Sequence, residues 1–169
     1  ISSGSGSTTI QGAIGSGNTV TTITIGSAGT GAIELLAIGD GSGYGATGAV
    51  AVGNTDTTTL TLDGTVYSTD STQTYVAASG QNIDITGASP TFTTTNDNVA
   101  FNEAGVDLIN STGADSTYTV NTGTGAGDVT FAAAIETDGG NDDTLTITSG
   151  EGTVLFSGAI GATEELGGL

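Results

Sequence analysis

Apolar and polar residues alternate in short runs along this chain, as in Thr22-Ile23-Thr24-Ile25, Thr59-Leu60-Thr61-Leu62, Ile83-Asp84-Ile85, Tyr118-Thr119-Val120 and Thr144-Leu145-Thr146-Ile147. Alternation with a period of two turns one side chain in and the next out, which predicts strands of about four or five residues. Clusters of Gly, Ser, Asn and Asp separate the runs, and these residues supply positive φ or local side-chain turns. Ile33–Ile38 and residues 102–109 could each make one helical turn, but the surrounding Gly and Thr oppose anything longer. The whole chain reads as all-β.

The runs repeat. Ile1-Ser-Ser-Gly-Ser-Gly-Ser-Thr-Thr-Ile10-Gln-Gly-Ala-Ile14-Gly15 aligns with Ile147-Thr-Ser-Gly-Glu-Gly-Thr-Val-Leu-Phe156-Ser-Gly-Ala-Ile160-Gly161 without a gap. The frame continues through Ala28-Gly29-Thr30-Gly31 to Ile38 and through Thr122-Gly123-Thr124-Gly125 to Ile135, with a period of about 24 residues. It predicts three apolar columns: Val120, Ile147, Ile1 and Ile25; Phe131, Phe156, Ile10 and Leu35; Ile135, Ile160, Ile14 and Ile38. A period too short for a domain but rich in strands and turns predicts a β-solenoid, whose coils bury apolar side chains only by stacking. About seven coils fit, and at roughly 4.8 Å between neighbouring strands they span roughly 34 Å.

Residues 44–121 repeat less cleanly, although Asn82-Ile-Asp-Ile85, Asn98-Val-Ala-Phe101 and Asp128-Val-Thr-Phe131 share one pattern, so coils of unequal length are expected there. Pro90, between Ser89 and Thr91, suits a turn, where a missing donor is tolerated. No linker or change of composition divides the chain, so residues 1–169 form a single solenoid segment in this reading. The columns run from Ile160 into Ile14 as though Leu169 were followed by Ile1. The expectation is one period of a longer tandem array, with Leu166, Leu169 and Ile1 at the end-to-end contact.

Composition narrows the function. Thr, Gly and Ser make up nearly half of the 169 residues, there are 18 carboxylates, and Lys, Arg, His, Cys, Met and Trp are absent. A formal charge of −18 without a basic side chain excludes phosphate neutralisation, and with it the usual basis of nucleic-acid affinity. An anionic membrane surface also repels such a chain, and no apolar run is long enough to insert in a membrane as a helix. Without His or Cys there is no Ser-His-Asp or Cys-His nucleophile and no zinc site built from those residues. The lack of Lys and Arg removes every trypsin-type cleavage site, which favours an extracellular or cell-surface location.

Gly127-Asp-Val-Thr-Phe-Ala-Ala-Ala-Ile135, Leu145-Thr-Ile-Thr-Ser-Gly150, Phe156-Ser-Gly-Ala-Ile-Gly-Ala-Thr163 and Ser79-Gly-Gln-Asn-Ile-Asp-Ile-Thr-Gly87 resemble the repeats of large bacterial surface and secreted proteins. These are the filamentous-haemagglutinin-like and autotransporter-like adhesins. The resemblance spans nearly the whole chain and implies a right-handed parallel β-helix serving in adhesion, matrix or a surface filament. It implies no residue-level site.

Only carboxylates remain for site chemistry. Asp142-Asp143, Glu164-Glu165 and Asp138 are the acid pairs to weigh for glycoside hydrolysis, but paired acids in Gly-rich turns are ordinarily solvated. Calcium takes oxygen ligands alone, and Asp138, Asp142, Asp143 and Asp40, with Asn96-Asp97-Asn98, are the candidates for a weak site. None has EF-hand or Gly-Gly-x-Gly-x-Asp spacing, so diffuse binding of cations between acidic rods is the stronger expectation and no cofactor is required. Thr-x-Thr strands also resemble those of ice-binding solenoids, yet Thr22/Thr24, Thr59/Thr61, Thr93/Thr95 and Thr144/Thr146 do not fall in one column, so no flat array is expected. Asn110-Ser-Thr112 is a glycosylation sequon.

The expected function is that of a non-enzymatic extracellular structural protein, a solenoid stacking on copies of itself into a protease-resistant filament or stalk. A second reading is an adhesin segment binding a surface glycan or protein, with Tyr44, Tyr67 and Tyr75 as its aromatic candidates. A third is a β-sandwich, pilin-like subunit polymerised by strand exchange.

Overall fold

Thr, Val and Ile are stiff at χ1 and suit a pleated, half-buried surface, and the described residues contain strands but no helix. The computed structural model describes residues 1–26, 29–108, 115–138 and 142–169. Its strands are β1 (Thr8–Ile14), β2 (Ile23–Ile25), β3 (Ile33–Ile38), β4 (Val50–Gly53), β5 (Leu60–Leu62), β6 (Val66–Ser68), β7 (Gln73–Val76) and β8 (Asn82–Ile85). They continue as β9 (Thr91–Thr93), β10 (Val99–Asn102), β11 (Gly105–Leu108), β12 (Thr117–Asn121), β13 (Val129–Phe131), β14 (Ile135–Thr137), β15 (Thr144–Thr148) and β16 (Val154–Phe156).

Every ladder is parallel, and each strand pairs with the strand one coil away, so the chain is a β-solenoid with three faces. The first face stacks β1, β3, β5, β8, β11 and β14. The second stacks β6, β9, β12 and β15 and joins the first through the end of β3, where Ile38 lies opposite Tyr67. The third stacks β2, β4, β7, β10, β13 and β16. All ladders being parallel, the β-sandwich reading is excluded, since sandwich sheets are antiparallel.

The coils are not uniform. Paired positions on the third face lie 27, 23, 26, 30 and 25 residues apart in sequence. Those five intervals are about five turns between Ile23 and Phe156, and they average about 26 residues, so fewer coils fit than the seven expected from a fixed 24-residue period. Ile33–Ile38 and residues 105–108 are strands rather than helical turns. Ile33 and Leu35 point into the first face and Ile38 into the second, so a strand rounding a corner imitates helical spacing.

Each expected four-residue column separates into two pairs on different faces. Ile10 lies opposite Leu35 on the first face, whereas Phe131 and Phe156 pair on the third. Ile135 bridges to Ile160 on the first face, while Ile14 pairs with Ile38 where the first face turns into the second. Val120 pairs with Ile147 on the second face. Ile1 donates its amine to Thr24 O at 2.6 Å and accepts from Gly26 N at 2.7 Å, which sets it opposite Ile25 on the third. The gapless match of the two ends therefore joins segments that lie one face apart, because strand and turn chemistry recurs three times per coil.

The core is apolar and, in the middle, aromatic. Phe101 and Phe131 stack at 4.9 Å, Phe131 and Phe156 at 5.5 Å, and Tyr67 and Phe92 at 4.8 Å, with Phe92 edge-on to Phe101. Phe156 is half-buried, as are Ile10, Ile14, Ile147 and Ile160, whereas Phe131, Leu35, Ile38, Val120, Ile25 and Ile135 are buried. In the aromatic stretch the buried polar groups find partners: Gln73 donates to the carbonyls of Tyr67 and Thr93, and the Tyr75 hydroxyl donates to Gln73.

A column of buried threonines fastens the corner between the second and third faces. Thr69 Oγ1 donates to Gly48 O at 2.8 Å, Thr122 Oγ1 to Gly127 O at 2.7 Å, and Thr94 Oγ1 to Asp97 O. Elsewhere coils approach too closely for any side chain. A Cβ on Gly64 would sit 1.4 Å from Leu36 O.

Candidate functional site

Three surfaces carry chemistry. On the outside of the first face, Asp84, Asp107 and Glu136 occupy the same register on consecutive rungs, with Glu34 one rung beyond Thr61. Neighbouring rungs are about 4.8 Å apart, so the carboxylates repel directly. Burial raises the carboxyl of Asp84 above its ordinary value, and burial followed by the Asp84 charge raises that of Asp107. Asn82 Nδ2 donates to Asp107 and eases this in part. Glu136 shifts the other way, because its Oε2 accepts from Thr163 N at 3.0 Å and Glu164 N at 3.1 Å.

The second surface is the corner at Asp143. This residue is buried, its Oδ1 accepts from Ser116 N at 2.8 Å, and its Oδ2 has no partner, as is also true of the buried Tyr118 hydroxyl. Desolvation raises the Asp143 carboxyl, with smaller like-charge contributions from Asp138 and Asp115. Asp138 and Asp142 are exposed, and Asp142 N donates to Asp115 Oδ1. Asp40 belongs to a different coil, where its carboxylate accepts from Ser42 N, Ser42 Oγ and Gly17 N and is held below the ordinary range by them. The four calcium candidates are therefore not brought together, and among the described residues no three acidic side chains converge on a metal-sized site. Asn96 and Asn98 are turn fasteners, their Oδ1 atoms accepting from Gly125 N and Asp128 N. Asn110 lies outside the described residues.

The third surface is the outside of the second face. Thr91, Thr119 and Thr146 form one row across the rungs, Thr93, Asn121 and Thr148 a second, and Thr117 and Thr144 begin a third that Ser89 extends by accepting from Thr117 N. Residues within a row are about 4.8 Å apart, and successive rows are about 6.7 Å apart along the strands. Thr rows not expected from the sequence are thus present over three rungs, but in a register that Thr95 does not share.

At the lower end of this array residues 39–45 form an overhanging loop. Asp40 folds it through Ser42, Ser68 Oγ donates to Gly43 O at 3.1 Å, and Thr95 Oγ1 donates to the Tyr44 hydroxyl. Between loop and face lies a cleft of about 510 Å³, walled by Tyr44 and floored by Val66, Ser68, Thr91 and Thr93. Tyr67 and Tyr75 are fully buried and take no part, leaving Tyr44 as the half-exposed member of that trio.

No family model, curated protein or solved structure matches this chain.

The expected end-contact residues are placed separately: Ile1 and Leu169 are 67% and 71% exposed, Leu166 is half-buried, and Gly168 bridges to Thr144. Asp143 and Asp142 face opposite sides of the backbone, one buried and one exposed, and Glu164 and Glu165 are both exposed. The Thr rows and the acid stack are assembled from residues 23 to 29 apart whose register depends on loop lengths, and the cleft joins Gly43 to Ser68 and Tyr44 to Thr95, 25 and 51 residues away, so the sequence alone does not display them.

Proposed function

We propose that this chain is a segment of a non-enzymatic, extracellular structural protein of the bacterial surface-repeat type that it resembles. In this reading it adds length to a β-solenoid rod, stacking end to end with copies of itself into a filament or stalk. The observation that carries the reading is the set of in-register parallel ladders on all three faces, with an apolar column inside each. Backbone hydrogen bonds then run along the rod axis, the geometry that gives cross-β assemblies their rigidity.

The charge fits a solvated spacer. Many of the 18 carboxylates lie on outer faces or in turns, where several accept backbone N–H groups from the next coil, as Asp128 does from Thr153 N at 2.7 Å. Acids thus replace Lys and Arg in making turns polar while leaving nothing for trypsin-like proteases to cut. Calcium acts diffusely in this account, by screening repulsion between neighbouring rods.

The test is the shape of two copies joined in tandem. By negative-stain electron microscopy and small-angle scattering, the pair should be one straight rod of doubled length. Two hinged particles would refute the proposal.

A further inference from the structure

We propose that the cleft beside Tyr44, together with the Thr rows that lead away from it, binds a linear, uncharged polysaccharide. This goes beyond the structural role and does not depend on it.

The cleft joins the two elements that sugar recognition needs, an aromatic wall and a floor of fixed hydroxyls. The wall is preset, since the Tyr44 hydroxyl is held by Thr95 and the loop is tied down by Ser68 and Asp40. An aromatic side chain lining the cleft can pack against the C–H face of a pyranose. The floor at Thr91 and Thr93 continues onto the next rungs as Thr119 and Asn121, then Thr146 and Thr148. Hydroxyls that recur at every rung, about 4.8 Å apart, favour a ligand whose own hydroxyls also recur.

Charge selects among polymers. The chain has no Lys, Arg or His, so a carboxylated or sulfated glycan finds no counter-ion and is repelled by the net charge of −18. The Thr rows themselves hold no carboxylate, and an uncharged ligand meets no penalty there. A protein partner is disfavoured because Val66 is the one large aliphatic side chain in the floor, too little for the apolar centre of an interface.

The test uses saturation-transfer NMR and titration of the intrinsic Tyr fluorescence with cellohexaose, laminarihexaose and chitohexaose, and a heparin hexasaccharide as the anionic control. The proposal expects at least one neutral hexasaccharide to bind and heparin not to bind. Tyr44→Ala should weaken that binding about tenfold or more, as loss of an aromatic anchor does, while Tyr44→Phe, which keeps the ring, should retain it. Thr119→Val with Thr146→Val should weaken it with circular dichroism unchanged. No binding by any neutral hexasaccharide, preference for heparin, equal binding by Tyr44→Ala, or adsorption to ice without sugar binding would each overturn the proposal.

Discussion

Phe131 and Phe156 belong to the same ladder but differ in cover, and the difference makes a quantitative test of the stacking. Phe131 is 1% exposed and lies between Phe101 at 4.9 Å and Phe156 at 5.5 Å. Phe156 is half-buried and has a ring neighbour on one side only. Transfer of a fully buried Phe contributes about 1.5–3 kcal/mol, and the cavity left by truncation brings the usual cost of Phe→Ala to about 3–5 kcal/mol. Phe131→Ala should therefore cost about 4 kcal/mol, including two lost stacking contacts of about 0.5–1.5 kcal/mol each. Phe156→Ala, with roughly half the burial and one stacking contact, should cost about 2 kcal/mol. Urea unfolding followed by far-ultraviolet circular dichroism measures both, with the m-value checked for constancy. Equal losses at the two sites, or a loss below about 1 kcal/mol at Phe131, would refute the in-register aromatic ladder.

Three further outcomes follow from named contacts. Gly64→Ala should destabilise by about 3 kcal/mol or prevent folding, since its Cβ would overlap Leu36 O and backbone must move; a change in melting temperature too small to measure would contradict the close approach. Thr122→Val removes a buried hydroxyl donor and leaves Gly127 O without it, at a cost of about 1–2 kcal/mol by the same urea assay. Asp84 and Asp107 have raised carboxyl values in the fold, so the folded state binds their protons more tightly than the unfolded chain. Their unfavourable contribution is complete at neutral pH and is relieved as pH falls through the raised values towards the ordinary 3.8. Glu136 has the opposite sign: its contribution is present above the ordinary 4.5 and lost as pH falls through its lowered value. Asp107→Asn should therefore raise stability at pH 7 by about 0.5 kcal/mol, as expected for removing like-charge neighbours on a ladder, and should flatten the rise on mild acidification. An unchanged pH profile in Asp107→Asn would contradict the stacked acids.

Local pairing could be read from the chain, and long-range phase could not. Ile10 with Leu35, Ile14 with Ile38, Val120 with Ile147 and Phe131 with Phe156 are one coil apart and share the same turn chemistry between them. Joining the chain ends fails because the faces resemble one another, and a match of Ile147 to Ile1 is equally good one face out of phase. The Thr rows stayed hidden for a related reason: Thr119 and Thr146 are paired only once the corner lengths on either side are known. The different fates of Asp142 and Asp143 follow from strand alternation at the start of β15, which a Gly-rich turn conceals in the sequence. Tyr67 and Tyr75 lie in the irregular middle of the sequence, but strand alternation turns both inward, where they pack against Phe92 and Phe101.

Mass per length of a filament assembled from this segment tests the central proposal most directly. With 16.2 kDa spread over 169 residues and about 26 residues advancing the rod by ~4.8 Å, a single solenoid has about 0.5 kDa per Å. Scanning transmission electron microscopy of unstained filaments that contain this segment should give that value uniformly along their length. A clearly larger value, or a beaded profile alternating between dense and thin stretches, would contradict an extended rod built from continuous coils.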